Sequence, residues 1–169
     1  MSAARRLRYS SGTPWEPKAG YSRAIRVGSR IYVSGTTAAG RDGVIAGIGD
    51  PYLQTVRVLD QIETALRALG GSLREVVRIR IYATQLADVD AIARAVRERM
   101  GRVRPAATLV AVAGLVDPAM RVEIEADAEV ARRARVVRRA TPGSGRGAVG
   151  ARLSRRRSRS AASRSRKRR

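Results

Sequence analysis

The sequence predicts an α+β fold, with a mixed sheet carrying two helices on one face in the order β-β-β-α-β-α-β-β. Three observations predict it. The stretch "MRVEIEADAEV" (residues 120–130) alternates apolar and acidic residues along its length, the period of a half-buried strand. Two stretches, starting at residues 50 and 88, repeat apolar residues at helical spacing between recognisable start and stop signals. The chain has 169 residues, 44% of them hydrophobic, which suffices for one domain with a real core.

The elements follow in order. "RRLRYSS" (5–11) has the short mixed pattern of an edge strand, and "TPWEPKAG" (13–20), with two prolines and a glycine, reads as a loop. "YSRAIRVG" (21–28) alternates, with Ala24 and Arg26 on one side and Arg23, Ile25 and Val27 on the other. Gly28-Ser29 is a two-residue turn that makes "RIYVSGTTA" (30–38) its hairpin partner, and Asp42-Gly43 supplies another tight turn. The first helix opens with Asp50 as N-cap and Pro51 at the first helical position, buries Leu59, Ile62, Leu66 and Leu69, and stops at Gly70-Gly71. "EVVRIRIYAT" (75–84) predicts a strand with Val77, Ile79 and Ile81 facing one way and Arg78, Arg80 and Tyr82 the other. A second helix over 88–100 places Val89, Ile92, Val96 and Met100 on one stripe and ends at Gly101. Strands at 107–115 and 120–130 complete the order. In the last, Val122, Ile124, Ala126, Ala128 and Val130 share one face, while Glu123, Glu125, Asp127 and Glu129 share the other. With both helices on one face, the acidic face beside Arg78, Arg80 and Tyr82 is expected to meet a second copy of the chain.

Composition excludes several chemistries. The chain has no cysteine, hence no disulfide or thiolate–zinc site, and no histidine, the commonest general base and metal ligand. Only Lys18 and Lys167 represent lysine, which argues against a Schiff-base mechanism. Ser34 has no histidine to activate it as a nucleophile. "GIG" (47–49) and "GSGRG" (143–147) lack the strand–turn–helix setting and the lysine of a phosphate loop. No long apolar stretch or signal-peptide core occurs, so no membrane contact is expected and the cytoplasm is the expected location.

Charge divides the chain in two. Residues 1–130 hold 19 Lys and Arg against 14 Asp and Glu, and residues 131–169 hold 16 against none, so balances of +5 and +16 make up the net +21. The second segment, ending "ATPGSGRGAVGARLSRRRSRSAASRSRKRR", is an Arg/Ser-rich basic tail that lacks the apolar surface needed to offset its ordering entropy, and disorder is expected. Such a tail would bind nucleic acid through counterion release with little sequence preference. The alternative is an incidental extension without function.

"GYSRAIRVGSRIYVSGTTA", "GDPYLQT", "VVRIRIYAT" and "VRPAATLVAVAGLVDPAMRVEIEADA" together resemble the RidA/YjgF family of reactive-intermediate deaminases, over residues 9–130. The resemblance implies a chorismate-mutase-like fold and a homotrimer whose sheets form a central barrel, with small-molecule clefts between subunits. It implies hydrolysis of enamines or imines, such as 2-aminoacrylate, to ketoacid and ammonia, with no metal or organic cofactor. Some family members are described as ribonucleases acting on messenger RNA, but the lack of histidine here favours binding over cleavage.

Carried over by position, the resemblance places the cleft tyrosine at Tyr21, the "SG" turn at Ser34-Gly35 and the glutamate associated with a reactive water at Glu123. The family's arginine, two residues after a proline, falls on Ala107, and an asparagine on the second helix falls on Ala93. Thr36 and Thr108 complete the candidate cleft, with Ser34 and Thr36 as hydroxyl donors. A bidentate arginine holds a substrate carboxylate by geometry as well as charge, and charged hydrogen bonds are worth about 1.5–3 kcal/mol each. Its replacement by a methyl implies a changed ligand or the loss of ordinary amino-acid imine deamination. Arg104 lies three residues before Ala107, so strand parity points the two side chains to opposite faces unless a bulge intervenes. Its expected role is an ion pair, solvated or at an interface, at the strand entrance.

Overall fold

The alternation at residues 24–36 builds a hairpin, β2 (Ala24–Val27) and β3 (Arg30–Thr36), paired from Ala24↔Val33 to Val27↔Arg30 around Gly28-Ser29. Gly28 supplies the φ of 63° that the two-residue turn needs. The computed structural model describes residues 5–131. The expected disordered, nucleic-acid-binding tail therefore lies, apart from Ala131, outside the described residues.

β1 (Arg6–Tyr9) adds to the hairpin as an edge strand. β4 (Val76–Ala83), β5 (Ala106–Ala111) and β6 (Val122–Glu129) complete one six-stranded sheet of order β1-β2-β3-β6-β4-β5. The sheet is mixed, because β4 and β5 run parallel and every other neighbouring pair is antiparallel. A parallel pair needs a crossover, and α3 (Val89–Met100) supplies it after a short 3-10 turn at Leu86–Asp88.

α2 (Pro51–Ala68) begins as the sequence predicts, with the Asp50 carboxylate accepting from the Leu53 N–H at 3.0 Å and Pro51 at the first position. Its buried Val58, Leu59, Ile62, Ala65 and Leu66 pack on the apolar face of β6, where Val122 and Ile124 are fully buried. α3 adds Ile92 and Met100 to the same core and packs along α2. Gln54 is buried at the start of α2 with its amide satisfied, donating to the carbonyls of Ala119 at 2.8 Å and Gly47 at 3.3 Å and accepting from the Arg121 N–H at 2.8 Å. It ties two loops to the helix start. Among the described residues no helix is long and apolar enough to cross a membrane.

Two local expectations are corrected. Residues 13–20 are not all loop: Trp15–Ala19 form a short third helix, α1, capped by Gly20 at φ 73°. Pro17 is tolerated because it lies in the first turn, where backbone N–H groups have no partner within the helix. In β4, Val77 is 50% exposed and Val76 is buried, because a register irregularity between Val76 and Arg78 turns Val77 away from the core.

Ile124→Ala is expected to lower the unfolding free energy by about 2–5 kcal/mol through lost burial and a residual cavity. Asp50→Ala is expected to cost about 1 kcal/mol by leaving a helix N–H unpaired. Chemical denaturation of the full chain measures both.

Candidate functional site

The acidic face of β6 is the side of the sheet away from the apolar core. Its carboxylates have different fates. Glu125 accepts from Arg80 at 2.7 Å and from the Tyr82 hydroxyl at 3.3 Å, and Asp127 lies 3.9 Å from the same guanidinium. These contacts follow from register, since β4 pairs Arg80 with Glu125 and Tyr82 with Glu123. Glu123 is half-buried and has no hydrogen-bond or ion-pair partner among the described residues. Burial raises its pKa above the ordinary 4.5, the neighbouring Glu125 adds to the rise, and Arg23 acts against both.

The seat of that carboxylate is a bulge in β3. β3 and β6 pair at Val33↔Ala126 and again at Thr36↔Ile124, so Ser34 and Gly35 together face Glu125. A Cβ on Gly35 would fall 1.8 Å from Glu123 Oε1, so only glycine leaves room for the carboxylate there. The bulge also turns Thr36 inward. It is 2% exposed, and its hydroxyl donates to the Ser34 carbonyl at 2.8 Å. Ser34 spends its own hydroxyl on the Ser22 carbonyl at 2.9 Å. Both expected donors are therefore engaged within the chain.

Arg23 connects these groups. It donates to the Gly35 carbonyl, to Thr36 Oγ1 at 3.2 Å and to the Tyr21 hydroxyl at 3.0 Å. Tyr21 is exposed, with its ring centroid 5.5 Å from the guanidinium carbon. Of the expected site, the structure thus gathers Tyr21, Ser34, Gly35, Thr36 and Glu123 around a residue the sequence reading did not single out. The alternation over 21–28 set Arg23 opposite Ala24, but no sequence signal tied it to Tyr21 or to the β3 bulge.

The remaining positions lie apart within one chain. Ala93 is exposed on α3, a helix packed with the core layer. Ala107 is exposed on edge strand β5, in register with core-facing Ile79, whereas Thr108 is in register with Arg80 on the acidic side. Val110, rather than Ala107, lines up with Glu123 across Tyr82. Arg104 precedes β5 and so lies outside the alternation of the strand. It sits at φ 52° with its N–H bonded to the Met100 carbonyl at 3.0 Å, in the turn that closes α3. Its side chain is exposed and makes no ion pair among the described residues.

Comparison with known proteins bears on the whole described domain. A family model described as endoribonuclease L-PSP matches residues 12–130. An uncharacterised protein of Streptomyces coelicolor is 39% identical over 121 residues, which are 72% of this chain and 90% of the relative. The 3-aminoacrylate deaminase RutC of Acinetobacter baylyi is 36% identical over 119 residues, 70% of this chain and 93% of the relative. A solved structure of a YjgF/YER057c/UK114-family member from Mycobacterium tuberculosis superposes with a TM-score of 0.68 at 39% identity, covering 75% of this chain and 100% of its own. RidA from an Antarctic Psychrobacter gives a TM-score of 0.65 at 26% identity, with 75% and 100% coverage. The mixed sheet, the helical layer and these matches agree: this chain belongs to the RidA/YjgF family, the one whose model is described as endoribonuclease L-PSP.

Proposed function

We propose that this chain works as a homotrimer with small-molecule clefts between its copies, and that Glu123 is the acid–base group of an enamine- or imine-hydrolysing site. Its substrate differs from ordinary amino-acid imines in not relying on an arginine at position 107. The observation that carries this reading is the Glu123 carboxylate, half-buried above Gly35 and left without a partner while Glu125 is paired. A carboxyl whose pKa lies above its ordinary value suits proton transfer nearer neutral pH. In such a reaction water adds to the carbon of the protonated imine as the carboxylate takes a proton from the water, giving a neutral carbinolamine. The carboxyl then returns that proton to the nitrogen of the carbinolamine, and ammonia leaves as the carboxylate takes the hydroxyl proton, so that a carbonyl remains and the proton passes to ammonia as ammonium.

The 36% identity to a 3-aminoacrylate deaminase supports the reaction class. Two features support assembly. The acidic face is not covered by the chain's long helices, and edge strand β5 is exposed, with Val110 42% and Val77 on adjacent β4 50% accessible. Ala107 lies away from Glu123 within one chain, so a cleft containing both needs a second copy. A second reading rests on residues 131–169 and their 16 basic charges without an acid: polyanion binding by counterion release, with three tails of a trimer acting together.

Release of ammonia and ketoacid from freshly generated 2-aminoacrylate is expected to be about ten- to a hundredfold slower than in an arginine-bearing relative. Ala107→Arg is expected to recover part of the deficit, and turnover at the relative's rate by the native chain would refute the proposal. Where turnover occurs, the rate falls as pH drops through the raised pKa of Glu123, above 4.5. Glu123 also affects stability. Its neutral form is favoured in the fold, so its ionisation costs stability increasingly as pH rises from the ordinary carboxylate value through the raised one. Glu123→Gln should therefore raise Tm at pH 7, with the gain fading below the ordinary value, while abolishing any hydrolysis. For the tail, removal of residues 131–169 should weaken nucleic-acid binding and flatten its salt dependence, and equal affinity would exclude this role.

A further inference from the structure

Arg23 precedes β2 on the side opposite buried Ala24, and its side chain is only 11% exposed. The guanidinium spreads its contacts in several directions. One nitrogen serves the Gly35 carbonyl and Thr36 Oγ1, another serves the Tyr21 hydroxyl, and Nε lies 3.8 Å from Glu16 Oε1. Glu16 belongs to α1 and is 4% exposed. Its Oε1 accepts from the Ser11 N–H at 3.0 Å and from the Ser11 and Thr13 hydroxyls, which leaves Oε2 buried without a partner. Burial opposes the charge on Glu16, but the neighbouring Ser10 hydroxyl, the hydrogen bonds from Ser11 and the nearby Arg23 outweigh it and keep the pKa below the ordinary value. Glu16 is thus a fixed anion behind Arg23.

The direction of the Tyr21 hydrogen bond has a chemical consequence. Arg23 can only donate, so Tyr21 Oη is the acceptor and its own proton stays available. Among the described residues that proton is given to no other group. At the other end of the fork, the Gly35 carbonyl belongs to the residue directly beneath Glu123 Oε1. We propose that Arg23, anchored from behind by Glu16, is the positioning residue of this site: it presents the Tyr21 hydroxyl as a hydrogen-bond donor toward a ligand carbonyl or carboxylate and fixes the bulge on which Glu123 sits. The inference rests on the reading of Glu123 as the acid–base group, and it supplies a donor where Ala107 offers none. A lysine would keep the charge but not the planar fork that reaches both partners at once.

The groups facing Glu123 are Arg23 ahead of β2, Glu125 on β6, Tyr82 on β4, and uncharged Gly35 on β3, while Arg80 on β4 is taken up by Glu125 and Asp127. Without the guanidinium, burial and Glu125 remain, and both favour the protonated carboxyl. The test is an NMR pH titration of full-length protein carrying 13C-labelled glutamate and tyrosine, with thermal melts to establish folding. Arg23→Gln should move the Glu123 carboxyl midpoint further up and shift the Tyr21 ring resonance. Arg23→Lys should hold the Glu123 midpoint near the native one yet shift Tyr21 as the glutamine variant does. Either resonance staying in place in a folded Arg23→Gln protein overturns the proposal. If that variant does not fold, an unshifted Tyr21 in Arg23→Lys overturns it instead. The titration needs no turnover, so it judges Arg23 even where 2-aminoacrylate is not hydrolysed. A native Glu123 that titrates at the ordinary 4.5 would bring down the underlying reading of the site.

Discussion

Two-residue alternation along β6 obliges one strand to serve two purposes. Its even-numbered residues Val122, Ile124, Ala126 and Ala128 are all buried and receive α2, while Glu123, Glu125 and Asp127 must then face the other way. β6 lies between β3 and β4, so core packing on one face fixes the positions of the acids on the other to within a residue. A one-residue slip would turn the acidic row inward and expose the apolar row, and the burial cost of unpaired charge forbids it.

Against that fixed row, neighbouring strands decide what each acid becomes. Regular pairing with β4 brings Arg80 and Tyr82 to Glu125, which is thereby occupied. On the other side, the β3 bulge opens a space above Gly35 for Glu123 and turns Thr36 into the core. Two carboxylates two residues apart thus acquire different chemistry from the same sheet: one is neutralised by a guanidinium, and the other is partly desolvated and unpaired. Irregularity in β3, rather than regular pairing, sets Glu123 apart from Glu125.

The match to the RidA/YjgF family runs over residues 12–130, and within it position 107, two residues after Pro105, is an alanine. Ala107 lies exposed on an edge strand and takes no part in the packed core of this chain. The side chain at this position can vary without changing how the chain folds. The buried Gln54 and the bidentate Arg121–Asp88 pair, with Nε–Oδ2 and Nη2–Oδ1 both at 2.8 Å, hold the loops that lead into β6 independently of that position.

The sequence by itself determined what local periodicity and local chemistry determine. The two faces of β6, the Asp50-Pro51 start of α2, the Gly28-Ser29 hairpin and, α1 aside, the order of elements along the chain were all legible, because each depends on residues adjacent in sequence or one turn apart. Tertiary structure decided the rest. α1 was hidden because its proline-rich composition reads as loop, although the first helical turn has no N–H to lose at Pro17. Parity placed Ala107 and Arg104 on one rule, but Arg104 lies in the turn closing α3, where the backbone is left-handed and the rule of the strand does not hold. The bulges at Val77 and at Ser34-Gly35 arise from pairing with other strands, which no single segment encodes. Arg23 looked like one arginine among many until folding set Glu16 behind it and Tyr21 and Gly35 in front. A guanidinium's role is fixed by the groups that converge on it, and those come from three different parts of the chain.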